Sequence, residues 1–421
     1  MTAQHQLHSH SHTLTYRILI GMFAGVVIGL FLKWLPYPVV REFFIDDIFQ
    51  TGGKIFMAVI NMLVVPIVFV SIVCGASALG DMKKLGRIGS KTLLLYLGTT
   101  VLSITIALAI AIPLNVGHGM SLQHQGSLML TQSQSFKQLL ISLFPVNLIK
   151  AFHDGEMLQI IIFALFFGMT VALVGKKAKP VVHFFDAVNH ILMRLMLLLM
   201  QLAPYGVLCL IAVLFVESGL QTIAHLVGYF FLVLFVLLLQ LLGTYGSLLY
   251  FVARLNPITF FKKMKDVMLF AFSVSSSNAT IPLNLKTVEE KLGVNSTIAS
   301  FVIPLGATIN MDGSAMMQGV ATVFIANAYG IPLTLTDYLT VVLMAVVASI
   351  GAAGVPSVGL VTLAMVLKQV GLPIEGISLI IGVDRLLDMA RTTVNVCGDA
   401  VISCLVAKGE KSLDEKTFNS H

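Results

Sequence analysis

The feature that most limits the fold of this chain is a series of apolar stretches, each long enough to cross a lipid bilayer, that recur from end to end. A helix needs about 20 apolar residues to span the hydrocarbon core. Of the 421 residues, 57% are hydrophobic and 11% charged, whereas soluble domains are nearer to about a quarter charged. The pattern therefore predicts an all-α polytopic membrane protein. Eight spans are predicted, near residues 16–34, 48–76, 90–114, 156–175, 190–216, 224–252, 297–329 and 376–407.

Lys and Arg residues indicate how these spans are oriented. They gather in the second, fourth and sixth connections and in the C-terminal segment, whereas residues 115–136 on the opposite side contain none. Because basic residues are retained on the cytoplasmic side, both termini are expected in the cytoplasm. The membrane is expected to be a bacterial inner membrane. The net charge of +6 then suits acidic lipid, and no nucleic-acid partner is needed to explain it. Residues 1–15 contain four His and no cleavable signal, and a disordered tail is favoured there over a metal site.

Two regions do not fit simple crossings. Residues 258–291 contain the polar run Ser275-Ser276-Ser277-Asn278, and residues 334–372 contain a small-residue run from Ser349 to Ser357. Each arm is too short to span, but each pair of arms has the length of a re-entrant hairpin. Non-helical backbone at membrane depth is tolerated only where protein or water satisfies it. We therefore expect two re-entrant hairpins, with ordinary interfacial loops as the alternative.

The seventh span is interrupted by Asn310-Met311-Asp312-Gly313-Ser314, a run that favours turns over helix. A broken membrane helix frees backbone carbonyls, and a carboxylate beside them completes a cation site made of oxygen ligands. Sodium suits such a site. The alternative is that Asp312 forms an ion pair with Arg391 or Arg385.

The last span has a polar face. Asp384, Asp388, Arg391, Asn395 and Asp399 follow one another at spacings of four, three, four and four, with Thr392 beside them. On a helix they form a stripe roughly 80° wide that climbs about 22 Å. One charge at the centre of a bilayer costs at least ~2.5 kcal/mol. A helix that carries several such charges is expected to hold or move a charged solute.

Enzymatic functions find less support in the sequence, and no enzyme is expected. An intramembrane aspartyl protease would use paired carboxylates such as Asp312 and Asp388, but the Gly-x-Gly-Asp context is missing. A serine hydrolase built on Ser276 lacks a suitable histidine, because every His lies in a tail, in a loop or near a membrane end. The four cysteines are scattered and predict neither a disulfide framework nor a zinc site. A pure anion channel remains an alternative to a carrier.

Four segments together resemble the dicarboxylate/amino acid:cation symporter family over nearly the whole chain. Residues 310–314 are similar to the family's NMDG(T/S) motif, and Ser275-Ser276-Ser277 to its serine-rich first hairpin tip. Residues 351–356 resemble the second tip, and residues 384–399 the polar face of the last helix. The resemblance implies a trimer with eight transmembrane helices, two re-entrant hairpins and a scaffold beside an elevator transport domain.

The resemblance also implies a domain organisation. Residues 1–15 and 409–421 would be cytoplasmic tails, and 16–255 would hold spans 1–6. Spans 1, 2, 4 and 5 of that region would form the scaffold and trimer contacts. Residues 256–408 would form the core of the transport domain, to which spans 3 and 6 also belong.

The family's substrate site is carried over by position. Arg391 would bind the side-chain carboxylate of an acidic amino acid, a task for a planar bidentate donor. Asp388 would accept the α-ammonium group, with Thr392 and Asn395 adding hydrogen bonds. The α-carboxylate would meet the hairpin tips, and the remaining substrate-contact residues would be Ser276, Ser277, Asn278, Ser314, Gly354 and Val355.

Cation sites follow from the same resemblance, with sodium as the expected ion and a proton as the alternative. One sodium would bind Asp399 with carbonyls of Gly306, Asn310 and Asn395. A second would use Asp312, Asn310, Tyr96, Thr99 and Thr100. A third would lie near Thr308 and the carbonyls of Ser349 and Ile350.

Substrate preference is predicted from two residues. Arg391 favours an acidic side chain over a neutral one, and Asp388 favours an amine over a plain C4-dicarboxylate. Together they favour L-aspartate or L-glutamate, with dicarboxylate and neutral amino acid carriers as alternatives. The family's basic residue near this site is missing at both Ser275 and Met389, and Arg385, one turn away, is expected to substitute.

Overall fold

A computed structural model describes residues 2–34, 43–78, 87–120, 144–154, 157–218, 221–351 and 358–420, which are helical for most of their length. Their regular structure comprises sixteen α-helices, several short 3₁₀ and π-helical segments and one isolated β-bridge. The α-helices are α1 Thr2–Trp34, α2 Thr51–Ala78, α3 Arg87–Leu114, α4 Leu148–Asp154, α5 Met157–Val174, α6 Lys179–Leu199, α7 Ala203–Ser218, α8 Gln221–Leu238, α9 Pro257–Val274, α10 Ser277–Glu290, α11 Ser296–Ile309, α12 Asp312–Ala328, α13 Leu335–Gly351, α14 Val358–Gln369, α15 Ile377–Gly409 and α16 Glu415–Asn419.

Membrane-spanning length is clearest in two segments. Arg87–Leu114 and Ala224–Ala253 are both long and apolar enough to cross a bilayer by length and composition. Shorter apolar helices include Ile20–Trp34, Ala203–Val216 and Leu335–Ile350. The count of eight spans therefore stays a prediction, although the helical fold class agrees with it.

Two predicted segments differ from the structure. The stretch 190–216 is two helices rather than one span, because a 3₁₀ turn at Met200–Leu202 separates α6 from α7. Pro204 lies just after this turn and has no N–H to continue the helix that precedes it. Helix α1 begins at Thr2 rather than near residue 16, where the first span was predicted to start.

Helix α1 packs closely along α7 through glycines spaced four residues apart. A Cβ at Gly21, Gly25 or Gly29 would come within 2.3–2.8 Å of a backbone oxygen or side chain of α7. Residues four apart lie on one face of a helix, so the three glycines form a single smooth strip. Small residues of this kind let two helices approach backbone to backbone, which drives helix association where lipid surrounds them.

Helix α15 lies at the centre of a second group of helices, apart from the pair α1 and α7. It packs against α8, α9, α10, α11, α12 and α14, and most of its side chains are buried. Helix α12 lies between α3, α13 and α15, so the two halves of the broken span and the last span share one core. The polar face of α15 is therefore turned towards protein rather than lipid.

The region predicted as the first hairpin is a helix–turn–helix unit in which α9 and α10 pack against each other. Ser275 ends α9 in the left-handed region with φ 55°, and Ser276 caps α10 by accepting a hydrogen bond from Ala279 N at 3.2 Å. The second hairpin has the arms α13 and α14, but its tip at residues 352–357 lies outside the described residues. The break in the seventh span is also confirmed, since α11 ends at Ile309 and α12 begins at Asp312.

The C-terminal segment is folded onto the helices rather than extending as a free tail. Leu413 pairs with Val294 in a β-bridge, and Lys263 Nζ donates to the carbonyls of Lys291 and Thr417 at 2.9 and 2.7 Å. Phe418 of α16 is completely buried. The segment thereby joins α9, the connection after α10 and the end of α15.

Glu410 connects the end of α15 to the start of α3. It forms ion pairs with Arg87 and with Lys91, the latter at 3.5 Å. The hydrogen bond from Arg87 holds the pKa of the Glu410 carboxyl below its usual range. At neutral pH the carboxylate is therefore ionised and can keep both partners.

We expect Phe418→Ala to destabilise the protein by about 3–5 kcal/mol, because a buried aromatic side chain is replaced by a cavity. The measurement is the thermal unfolding midpoint of the purified protein in detergent. Lys416→Ala in the same short helix is the matched control, since Lys416 is exposed. Equal midpoints for the two variants would mean that the C-terminal segment contributes no stability.

Candidate functional site

Four charged side chains meet on the polar face of α15. Arg391 Nη2 lies 2.9 Å from Asp388 Oδ1 and 3.0 Å from Asp384 Oδ1. Arg385 Nη1 lies 3.6 Å from Asp388 Oδ2, and all four residues are buried. Helical side chains point towards the N-terminus, which lets Arg391 reach back over the two preceding turns. The positive charges of two guanidinium groups balance the negative charges of two carboxylates, so the cluster has no net charge.

Arg391 has unused hydrogen-bonding capacity. Its side chain is completely buried, yet Nε and Nη1 have no hydrogen-bond partner within the described part of the chain. Gly359, near the start of α14, lies against the guanidinium group, and a Cβ there would be 2.8 Å from Nη1. A buried donor without a partner costs roughly 1–3 kcal/mol, and more when it is charged. The arrangement suits an anionic group that binds beside the second hairpin.

Asp312 has a different environment, made of neutral donors. Thr100 Oγ1 donates to Oδ1 at 2.7 Å, while Tyr245 Oη and Gln240 Nε2 donate to Oδ2 at 2.8 and 3.1 Å. The carboxylate is completely buried. The alternative of an ion pair with Arg391 or Arg385 is wrong, because those guanidinium groups pair with carboxylates of α15 itself.

The sequence did not single out Gln240 and Tyr245. They stand five residues apart, which in an α-helix places them about 140° away from each other. The structure is π-helical over Leu239–Tyr245, and a π-helix brings residues i and i+5 together. Both side chains therefore reach the same carboxylate oxygen. The available signal was a Gln and a Tyr in an otherwise apolar span.

Asp399 lies next to the break between α11 and α12. Asn310 Nδ2 donates to Asp399 Oδ1 at 2.9 Å. A Cβ at Gly306 would be 2.3 Å from Asp399 Oδ1 and 2.5 Å from Tyr96 Oη, so only glycine fits there without a shift. Oxygen atoms of α15 and α3 therefore both lie close to Gly306 of α11. Asn310 Oδ1 is buried and has no hydrogen-bond partner in the described residues.

At the helix break, backbone groups that lack a partner within a helix form hydrogen bonds with side chains from other elements. Ser349 Oγ, from the second hairpin, accepts from Met311 N at 3.0 Å and donates to Ile309 O at 2.5 Å. Asn395 Oδ1, from α15, accepts from Gly313 N at 2.8 Å. The break is therefore held from two sides, and it ties the second hairpin to the last helix.

At the first tip, Ser276 and Ser277 are buried but Asn278 is exposed. Asn284, further along α10, donates to Val396 O of α15 at 3.2 Å and thereby ties the hairpin to the polar helix. Of the residues expected at the second tip, Gly354 and Val355 lie outside the described residues.

The other predicted residues are engaged locally. Thr392 Oγ1 donates to Asp388 O at 2.8 Å, Thr99 Oγ1 to Tyr96 O at 3.0 Å and Thr308 Oγ1 to Leu305 O at 2.9 Å. Ser314 is buried at the start of α12, and Ile350 is half-buried near the end of α13.

The chain matches a family model over residues 14–409, and the model is that of the sodium:dicarboxylate symporter family. The chain belongs to this family. It is 34% identical, over 96% of both chains, to a proton/sodium-glutamate symport protein of Bacillus caldotenax. It is 34% identical to the proton/glutamate-aspartate symporter of Escherichia coli strain K12, over 96% of this chain and 94% of the relative. It is 31% identical to excitatory amino acid transporter 2 of Mus musculus, over 94% of this chain and 78% of the relative.

Membership in this family agrees with the polar face of α15 and the broken span, which the sequence had pointed to. A membrane location follows from the family. Its members are transporters. The charged side chains described above lie together in the interior of the protein and not on its surface.

We expect Gly306→Ala to destabilise the protein by roughly 1–3 kcal/mol, because the added methyl group would overlap Asp399 and Tyr96. Thermal unfolding of the purified protein measures the effect. Gly98→Ala in α3 is the matched control, since no atom lies within 4 Å of a Cβ there. An unchanged midpoint for Gly306→Ala would show that the oxygen cluster is not tightly packed.

Proposed function

We propose that this protein is a secondary active symporter that carries an acidic amino acid, L-aspartate or L-glutamate, into the cell together with sodium. The observation that carries the proposal is the buried Arg391, which has two unpartnered nitrogen atoms beside the second hairpin. Bacterial relatives of the chain are named as glutamate or glutamate-aspartate symporters.

The charge balance of the site supports an amino acid with an acidic side chain. The cluster of Asp384, Arg385, Asp388 and Arg391 is neutral by itself. A substrate that brings an ammonium group to Asp388 and a side-chain carboxylate to Arg391 adds one charge of each sign there. The α-carboxylate then lies towards the first tip, where the N-terminus of α10 offers free N–H groups to an anion. A C4-dicarboxylate lacks the ammonium group, and a neutral amino acid leaves Arg391 unpartnered.

Sodium would bind at the two oxygen-rich places around the broken span. Asp399, with Asn310 and the neighbourhood of Gly306, would form one site, and Asp312 with Thr100 would form the other. Sodium prefers oxygen ligands, and buried oxygens without partners, Asn310 Oδ1 and Gln240 Oε1, are found at these places. A third site would lie near Thr308 and Ser349. Binding would neutralise two carboxylates that are otherwise costly to bury.

A proton is the second candidate for the coupling ion, because relatives are named as proton/sodium and as proton symporters. The same carboxylates, Asp312 and Asp399, would carry it. A sodium-coupled and a proton-coupled symporter would transport the same substrate and would differ only in the ion gradient that drives uptake.

The movement would be an elevator motion within eight spans and two re-entrant hairpins. Helices α3, α8 and α9–α15 would move together, since they pack around the same buried charges. Helices α1, α2 and α5–α7 would form a scaffold that trimerises in the inner membrane, with both termini in the cytoplasm. The second hairpin would close over the substrate.

Uptake of labelled L-aspartate into proteoliposomes tests the function. Imposed sodium, proton and zero gradients are compared with the same protein preparation. Accumulation driven by sodium alone supports the proposal as stated, and accumulation driven by a proton gradient alone reassigns the coupling ion. If no gradient produces accumulation, an acidic amino acid symporter is the wrong function.

We expect Arg391→Cys to abolish uptake of L-aspartate, because the side-chain carboxylate loses the buried guanidinium group that binds it. Uptake of a neutral amino acid by the variant would be a gain of function. Arg194→Cys, which changes an arginine of α6 outside the site, is the control in the same assay. Uptake at the wild-type level by Arg391→Cys would remove the arginine from the substrate site.

A further inference from the structure

One hydrogen bond joins the last turn of α14 to the end of α4. Lys368 Nζ donates to the backbone carbonyl oxygen of Asp154 at 2.6 Å, although the two residues stand 214 positions apart in the chain. Asp154 is the final residue of α4, and the last carbonyl groups of a helix have no partner within the helix. A lysine near a helix C-terminus satisfies such carbonyls, so the end of α4 is a natural acceptor for Lys368.

Helix α4 is fixed to α2 and α5. The ring of Phe152 in α4 lies edge-on against Phe69 of α2, with ring centroids 5.0 Å apart and an interplanar angle of 81°. Aromatic pairs prefer this geometry. Ala151 is buried, and α4 packs against α5. The carbonyl group of Asp154 is therefore held by helices that the proposed function places in the scaffold.

Lys368 lies in the other group of helices, because α14 packs against α12, α13 and α15. Helix α14 also contacts α2, and a small cavity lies between the two helices. Their side chains that line this cavity are apolar apart from Thr362, and they are Ile67, Val68 and Ile72 from α2 and Val358, Val361 and Met365 from α14. Hydrophobic contact is non-directional, so it does not fix one position of α14 along α2.

The hydrogen bond to Asp154 does fix such a position. Donor and acceptor must stay within about 3.2 Å of each other, so a displacement of α14 beyond the reach of the lysine side chain breaks the bond. Among the residues whose side chains the structure describes, no other hydrogen bond or ion pair joins α1, α2 and α4–α7 to α3 and residues 221–420. Lys368 is exposed, so water replaces the carbonyl when the bond breaks, and the loss is small.

We propose that the hydrogen bond between Lys368 and Asp154 is a latch of the transport cycle. It stabilises the conformation of this structure and breaks each time α14 moves past α2 and α4 with the rest of the transport domain. The inference rests on the proposed function, since it requires that domain to move. Lys368, which belongs to neither the substrate site nor the cation sites, thereby sets the balance between the two ends of the movement.

Cross-linking tests whether the contact must break. Lys368→Cys is combined with Asp154→Cys, and a short bifunctional thiol reagent with a reducible linker joins the two cysteines. Gradient-driven uptake of labelled L-aspartate into proteoliposomes is measured before linking, after linking and after reduction. The matched control combines Arg87→Cys with Glu410→Cys, which replaces an ion pair within the transport domain. Wild-type protein treated with the same reagent reports any effect of the native cysteines.

We expect the link between positions 154 and 368 to abolish uptake, and reduction of the linker to restore it, because the link holds the transport domain against the scaffold. The link between positions 87 and 410 should leave uptake unchanged, because α3 and α15 move together.

A second variant tests whether the bond stabilises this conformation. Lys368→Met removes the donor and keeps a side chain of similar length. Spin labels on Tyr205→Cys of α7 and Leu335→Cys of α13, both exposed positions, report the distance between scaffold and transport domain. Cys74 and Cys209, the two partly exposed cysteines, are replaced by serine in all samples.

We expect Lys368→Met to lower the population at the distance of this structure roughly threefold relative to the remaining population, as for the loss of one exposed charged contact. Lys286→Met is the matched control, because Lys286 is exposed and pairs with Glu290 of its own helix at 4.0 Å. It should leave the ratio of the two populations unchanged.

Three results would overturn the inference while leaving the proposed function in place. Full uptake by the protein linked at 154 and 368 would mean that the contact persists through the cycle. A block by the link at 87 and 410 as well would mean that the boundary between the two groups of helices is not special. Equal population ratios for Lys368→Met and its parent would mean that the bond favours neither conformation. If the unlinked wild type accumulates no L-aspartate under any gradient, the proposed function itself fails, and the inference fails with it.

Discussion

Ionised side chains that water cannot reach are the constraint around which this protein is built. Buried charges are tolerated only when other groups of the protein compensate them. Arg391 is compensated by Asp384 and Asp388, and Asp312 by three neutral donors from α3 and from the π-helical segment that follows α8. The compensation of Asp312 requires segments from distant parts of the sequence to meet. The packing of α3, α8, α12 and α15 around one core follows from that requirement.

Departures from the regular α-helix supply the polar groups that this core needs. A continuous helix uses all its internal N–H and C=O groups, and none remains for a ligand or a neighbouring side chain. The break at Asn310 and Met311 releases backbone groups, which Ser349 and Asn395 then satisfy. The π-helical segment Leu239–Tyr245, which follows α8, places Gln240 and Tyr245 on one side. Both irregularities face the same carboxylates, which is where irregular backbone is useful.

Two groups of helices, the pair α1 and α7 and the helices around α15, are held together by different kinds of contact. Helices α1 and α7 approach through a glycine strip, which fixes their distance by backbone contact. The buried core around α15 is joined by ion pairs, caps and side-chain hydrogen bonds, and its outer end is closed by the folded C-terminal segment.

Local composition and spacing were enough to predict the helical membrane class, the break at residues 310–311, the turn at Ser275 and Ser276 and the polar face of α15. These features depend on local composition and spacing, which the chain carries in order. Three features became clear only from the fold: Asp312 takes neutral partners rather than Arg391, the stretch 190–216 is two helices, and the C-terminal segment is folded. The fold alone also brings Gln240 and Tyr245 to Asp312. Those outcomes depend on helix register and on contacts between residues far apart in the chain, which no local pattern records.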